Sequence, residues 1–450
     1  MILHNHRPTP TTVTLQKAQR LIDPQVGIIR WLAQDILKPD DPAFFVYLSQ
    51  VCDTSRFGAP RCSDMGSAGA VDRQRARAAA VGEAVERYCS AFYEESSFTF
   101  AAYRDLPPQA AVDPESFALF SERQYARPDF HFQPFKKDTP VNWVESFSLV
   151  SDRPRLVPAC FVYLPYQHPE SEPCINVSIS TGLACANTLE EALLTALCET
   201  IERDAFMLTW LHRLPAPRVS LENCQDQTLL TVLECLQAAG LEFHISLITT
   251  DIAIPTFLVV LIDRSGVGPA AAVATRTDLN PTWAVVRALE EATLTWLATS
   301  HLMTDAEPPG SKSSPGAPPM VLTREKYLLR YARQEMLPTF DFLLRSPVSR
   351  ALSDLPDLST DDVLENLKTC VKLVQACGFD VLAVDVTTPD IAELGFSVAR
   401  VIVPGLQPLD MDELRRYRGG KRLYEAPRLL GYSGRVATED DIFEEPHPFP

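Results

Sequence analysis

The chain of 450 residues carries 46% hydrophobic side chains, enough to bury a large core in one big domain or two ordinary ones. Its formal net charge of -17 argues against tracking nucleic acid or anionic lipid by charge. The N-terminus lacks the basic-then-apolar pattern of a secretory signal, and no run of about 18 apolar residues offers a membrane span, so a cytoplasmic protein is expected.

Residues 1–63 form an N-terminal segment with one amphipathic stretch, QVGIIRWLAQDIL. From DRQRARAAAVGEAVERYCSAFY the pattern is that of a long helix, with Ala76, Ala79, Ala80, Ala84 and Tyr88 at helical spacing. Short β-rich runs follow: VNWVESFSLV, RLVPACFVYL and, later, FLVVLID, DVLAVDV and SVARVIV. Between them a second long helix is expected over 188–211 and a third over 282–300. This alternation predicts an α/β protein. The Pro-, Gly- and Ser-rich stretch 306–319 reads as a mobile surface loop, and EKYLLRYARQEML after it as a helix with a solvated cationic face. The 11 dispersed cysteines include no Cys-x-x-Cys and read as small buried hydrophobes.

Two helices carry the same polar insertion. GEAVERYC (82–89) and CETIERDA (198–205) both contain Glu-x-x-Glu-Arg. At about 100° per residue, Asn187, Glu191, Glu199, Glu202 and Arg203 fall within roughly 160° of one another on an otherwise apolar helix. Glu83, Glu86 and Arg87 span about 100° by the same geometry. The third helix contributes Arg287 and Glu291 at i and i+4. Ordinary i,i+4 ion pairs would explain either motif alone. Two copies ask for more, because carboxylates on largely apolar helices are costly unless paired or bound to metal. Four glutamates converging from two helices would suit Mg²⁺, and adjacent arginines would suit phosphate oxygens. A nucleoside triphosphate is suggested, although no Gly-x-x-x-x-Gly-Lys-Ser/Thr loop occurs.

These pieces, in this order, resemble the YcaO family. GEAVERY is similar to its first glutamate motif, STGLACANTLEEALLTALCETIERDA to its central signature, and RALEEA to its third signature helix. VDVTTPDIAELGFSVARVIVPGLQPL resembles its late strand region, and PHPFP the Pro-x-Pro-x-Pro tail of azoline-forming members. The resemblance covers about residues 64–450 and implies a YcaO-type α/β fold with mixed sheets and long helices. ATP and Mg²⁺ are the implied cofactors. Carried over, Glu83, Glu86, Glu199 and Glu202 are the metal ligands, Asn187, Glu191 and Glu291 assist at the nucleotide, and Arg203 and Arg287 contact phosphate. Pro450 is expected to bring its α-carboxylate, at the end of the 446–450 tail, into the cleft as a catalytic group beside those two arginines. Ala68, Ala80, Thr181 and Leu294 depart from the commoner lysine, serine, asparagine and glutamine; none of them is a metal ligand.

The resemblance implies ATP-dependent cyclodehydration of Cys, Ser or Thr in a ribosomal precursor peptide. Thioamide or macroamidine formation, or a non-catalytic scaffold, are the alternatives. Expected partners are the precursor peptide, a separate leader-binding protein and a flavin-dependent dehydrogenase, in a homodimer or hetero-oligomer. Neither nucleic acid nor membrane is expected as a partner. The two Glu-x-x-Glu-Arg helices are expected side by side, their glutamates facing one cleft with Arg203 and Arg287 at its edge.

Overall fold

Three times along the chain, the edge strand of a sheet runs directly into a long helix, and this repeated step positions the polar residues. The computed structural model describes residues 1–305, 324–412, 415–432 and 437–449. The Pro-rich stretch 306–319 and Pro450 lie outside the described residues.

Helix α1 (Thr11–Ala18) precedes an antiparallel sheet of β1 (Ile29–Gln34), β2 (Phe45–Val51) and β3 (Met65–Ala70), and β3 leads into α2 (Arg73–Ser90). Next come β4 (Thr99–Ala102), the single-turn α3 (Glu122–Tyr125), β5 (Pro140–Ser148), β6 (Arg153–Pro158) and β7 (Leu183–Ala186). Strand β7 leads into α4 (Leu189–His212). The next stretch is β8 (Arg218–Ser220), α5 (Gln227–Ala238), β9 (Glu242–Leu247), β10 (Thr256–Ile262) and β11 (Ala271–Thr277), which feeds α6 (Pro281–Asp305). Then follow α7 (Arg324–Tyr331), α8 (Asp341–Leu344), β12 (Ser349–Ala351) and α9 (Val363–Ala376). The last elements are β13 (Leu382–Asp385), α10 (Pro389–Glu393), β14 (Ser397–Ile402) and α11 (Lys421–Leu429). Strand order is β1-β2-β3 in the first sheet, β4-β5-β13-β14-β7 in the second with β6 on β5, and β11-β10-β9-β8-β12 in the third. Strands β3, β7 and β11 are therefore all edges.

Each long helix begins where its sequence supplies a side-chain cap. Asp72 accepts from the Arg75 N–H, Thr188 from the Glu191 N–H, and Asn280 from the Trp283 N–H. Such caps stabilise a helix start by about 1 kcal/mol. Eleven positions after these caps come Glu83, Glu199 and Glu291.

Helix α4 is apolar almost all round, as a helix packed on two sides must be. Leu193, Leu197 and Ile201 lie against Ala184, Ala399 and Val401 of the second sheet. Phe206 and Trp210 lie against Leu258, Val260 and Val273 of the third. Strand β10 is buried at every residue, which is why TFLVVLI shows no alternation. Strands β1 and β2, from the first 63 residues, pair with β3 as one sheet.

The two Glu-x-x-Glu-Arg helices do not pack helix on helix as expected. They take opposite faces of strand β7: Leu183 and Cys185 meet Val81 and Val85 of α2, whereas Ala184 and Ala186 meet α4. The period-two alternation of a strand forces this separation, and the helices' polar groups meet past the strand edge. Among the described residues no helix is long and apolar enough to cross a membrane.

Gly182 sits at the turn into β7 with φ +81°, where a Cβ would lie 2.2 Å from the Val401 carbonyl oxygen. Gly182→Ala is expected to cost about 2 kcal/mol or more, read as a lowered urea midpoint.

Candidate active site

The two motifs are held by identical bonding. Glu83 accepts from the Ser67 N–H at 2.7 Å and from Arg87 at 3.2 Å, and Arg87 also donates to Glu86 at 3.1 Å. Glu199 accepts from the Gly182 N–H at 3.1 Å and from Arg203 at 3.2 Å, and Arg203 also donates to Glu202 at 2.6 Å. In each copy a backbone N–H from the strand region before the helix fixes the first glutamate. One arginine then forks across both carboxylates. Its planar guanidinium allows this; an ammonium would reach them only as a point charge.

Glu202 also accepts from the Thr275 hydroxyl at 2.9 Å and the Thr277 N–H at 3.2 Å, tying α4 to β11. On α6 the paired residue is Glu290 rather than Glu291. Glu290 is 0% exposed and takes Arg287 at 2.8 Å, the Val71 N–H at 3.0 Å and the Arg75 guanidinium. The i+3 partner wins because it points into the joint between α6 and α2, where Arg75 shares it. Arg287 is thus held in an ion pair at the α2–α6 joint, and burial lowers its pKa. Glu291 remains near Glu202 and Arg203.

Carboxylates of different helices face one another. Burial, opposed by Arg87 and reinforced by Glu199 and Glu83, lifts Glu86 to about 8. Burial, opposed by Arg203 and reinforced by Glu291, lifts Glu202 to about 7. Arg400 of β14 stands near both Glu86 and Glu199 and is pushed down to about 10 by burial despite both carboxylates. Among the described residues four buried guanidinium nitrogens have no hydrogen-bond partner: Arg75 Nε, Arg155 Nε, Arg276 Nε and Arg400 Nη1. Sequence reasoning missed these arginines and Glu290. A signal was present, since SVARVIV and AAVATRT each place one cation in an apolar strand.

Asn187 and Glu191 sit a few turns away at the start of α4. The N-terminal segment covers them. The Thr9 N–H donates to Glu191 at 2.5 Å, Lys17 Nζ to Asn187 at 3.0 Å, and Asn187 Nδ2 to the Thr14 hydroxyl at 2.7 Å. Lys17 and Thr14 lie outside the stretch on which the resemblance rested.

The tail docks on the far side of Arg203. Its Phe449 ring lies 4.1 Å beneath the Arg203 guanidinium and packs on Phe206. The Phe449 N–H donates to His447 Nδ1 at 3.2 Å while Nε2 meets the Asp410 carbonyl at 3.0 Å, so both ring nitrogens hold structure. Helix α7 is no merely solvated face: Tyr327 and Tyr331 are buried, Tyr331 donates to the Pro446 carbonyl and Arg330 pairs with Glu445.

Among the described residues no group of three or more His, Cys, Asp or Glu side chains is arranged to hold a metal ion. The arginine forks draw the carboxylate oxygens apart. The donor set nevertheless fits a Mg-nucleotide. Five carboxylates suit a hard cation, and guanidinium N–H groups left unbonded beside them suit phosphate oxygens.

Residues 68–407 match the family described as YcaO cyclodehydratase, ATP- and Mg²⁺-binding. The fold aligns with a heterocyclase in complex with substrate and cofactor at TM-score 0.83 and 24% identity, over 100% of this chain and 59% of that one. The heterocyclase TruD aligns at TM-score 0.68 and 26% identity, over 100% and 55%. YcaO from Methanopyrus kandleri bound with AMPPCP and Mg²⁺ aligns at 0.64 and 18%, over 91% and 94%. The class is thus one of ATP- and Mg²⁺-binding enzymes of mixed α/β fold. The chain belongs to the YcaO family. It spans between half and two thirds of the length of the two heterocyclases.

Because Glu86 and Glu202 are raised, the folded state binds more protons than the unfolded one between about pH 4.5 and 8. Ligand-free stability should therefore fall as pH rises through that window. Glu86→Gln should flatten the fall and raise Tm at pH 8, measured by calorimetry across pH.

Proposed function

We propose that the chain is an ATP-dependent cyclodehydratase that converts Cys, Ser or Thr of a ribosomal precursor peptide into azolines. The observation that carries this reading is the doubled Glu-x-x-Glu-Arg arrangement, in which Glu86 of one copy faces Glu199 of the other. Glu83, Glu86, Glu199 and Glu202 would hold Mg²⁺, with Glu291 beside them. Glu191 stands about 12 Å up the helix from Glu199, with Asn187 bonded to it just before the helix, a span suited to the sugar end of a nucleotide whose phosphates lie at the glutamates.

ATP supplies a phosphoryl group that turns the amide oxygen into a leaving group. In the net reaction a C–S or C–O bond forms from the substrate side chain and the carbonyl C–O bond breaks. The departing oxygen ends in inorganic phosphate as ATP becomes ADP, and the amide N–H and side-chain protons are released. The chain's own residues then have three tasks. The glutamates, ionised once a cation offsets their burial, fix the metal-binding geometry. Arg203, held from below by Phe449, and Arg287 neutralise charge at the phosphates. The packed tail closes the Arg203 side against water. Pro450 follows Phe449 directly, and its carboxylate is part of this reading as a group delivered to that side. No step needs an internal nucleophile, because the substrate brings its own.

A leader-binding protein would present the precursor, and a flavin-dependent dehydrogenase would oxidise the azoline where an azole is the product. The chain itself would work as a homodimer or within such a hetero-oligomer.

Glu83→Gln, Glu86→Gln, Glu199→Gln and Glu202→Gln should each lower ATP-dependent loss of one water mass from the precursor by roughly 100-fold or more, by mass spectrometry, with the fold retained. Wild-type rates in two of the four would remove the metal assignment. Extending the chain beyond Pro450 should lower the same activity sharply while Mg-ATP binding persists. An extended tail at full activity would remove the carboxylate from the reading.

A further inference from the structure

The segment 443–449 runs back along α4 outside any of the sheets. The Phe443 N–H donates to the Leu211 carbonyl at 2.8 Å, and six positions on the Phe449 ring lies beneath Arg203. Leu211 and Arg203 stand eight positions apart on α4, about 12 Å along its axis. Pro446 and Pro448 carry no N–H, so strand-like pairing could not fix this course. Three consecutive carbonyls fix it instead. Glu444 accepts from Arg416 Nη1 at 2.8 Å, Glu445 from Trp210 Nε1 at 3.0 Å, and Pro446 from the Tyr331 hydroxyl.

Each donor comes from a different part of the chain: Trp210 from α4, Tyr331 from α7, and Arg416 from the stretch before α11. Tyr331 and Trp210 are both 1% exposed, and their rings meet nearly at right angles with centroids 5.9 Å apart. The Arg330–Glu445 ion pair reinforces the same run. A buried carbonyl left without a donor is costly, so each of these bonds resists a shift of the tail. The register matters because an extended chain advances about 3.3 Å per residue. A slip of one residue would move the Phe449 ring by most of the 4.1 Å that separates it from the Arg203 guanidinium.

We propose that Tyr331, Trp210 and Arg416 are positioning residues for the reaction. Their bonds to three successive carbonyls set the register of the tail. The tail in turn keeps the Phe449 ring under Arg203, so that the guanidinium stays where it meets phosphate. All three act through Phe449 rather than on the reacting groups. This rests on the reading above, in which Arg203 works at the phosphates, and adds what holds the support of that arginine in place. It also gives α7 a part in the site through a tyrosine, where its sequence suggests only a solvated cationic face.

The test is Tyr331→Phe in the full chain, which removes one hydroxyl and keeps the ring. Hydrogen exchange of the amides within 443–449 should become about tenfold faster, while that of α2 and α6 stays as in the wild type. Turnover of the precursor should fall about tenfold in kcat, with KM for ATP within about twofold. In a Phe449→Ala chain the same substitution should change kcat by less than about twofold, because the ring that relays the register is already gone. Tail exchange at the wild-type rate would overturn the proposal. So would effects of the two substitutions that multiply, as two independent structural losses would. Arg416→Met removes the donor at the first of the three carbonyls, carries the same expectations, and serves if Tyr331→Phe fails to fold. Hydrogen exchange needs neither nucleotide nor precursor. A wild type without ATP-dependent dehydration would therefore remove the reading of function, and unchanged tail exchange would remove only the register.

Discussion

One arginine forked across two glutamates of its own helix is the interaction on which the rest depends. Glu86 and Glu202 are buried deeply enough to be lifted to about 8 and 7 even with that fork in place. Without the guanidinium, each helix would bring unpaired carboxylates into its core, at a cost of several kcal/mol per ion. The backbone N–H groups of Ser67 and Gly182 share the task. They can do so only because each sheet ends in a strand whose edge meets the following helix. The sheet edges, ordinarily a liability, are here covered by helices whose polar groups need the donors those edges leave free.

The same logic links the three strand–helix units in a closed cycle. Helix α2 packs on β7, α4 is bonded to β11 through Glu202, and α6 is bonded to the end of β3 through Glu290. Glu291 occupies the same position after its cap as Glu83 and Glu199, but Leu294 and Thr295 stand where the other helices carry the second glutamate and the arginine. The third unit thus lends one carboxylate, and its ion pair at Glu290 acts as a brace.

What could be read from the sequence follows from how local each feature is. Helix α4 was expected over 188–211 and spans Leu189–His212, because its apolar periodicity and Thr188 cap are written in consecutive residues. FLVVLID, DVLAVDV and SVARVIV became β10, β13 and β14 for the same reason. The i,i+4 contacts of Arg87 and Arg203 were legible as well. The Arg75–Glu290 pair was not, since 215 positions separate its members. Nor was the placement of α2 and α4 on opposite faces of β7, which depends on how a strand between them is covered. Arg400 was hidden differently. Its significance lies in a bond it does not make, which no spacing rule reports.

The common distance of eleven residues from cap to glutamate also bears on how such a chain can vary in descent. Eleven residues make about three turns, so each glutamate emerges nearly in line with its cap. Gaining or losing one residue inside that interval would swing the carboxylate by about 100° and slide it by about 1.5 Å. Composition within the interval is free by comparison: it is alanine-rich in α2 and leucine-rich in α4. In this architecture the count of residues is held more tightly than their kind. Changes in length are left to the connections between units, where no carboxylate keeps the register.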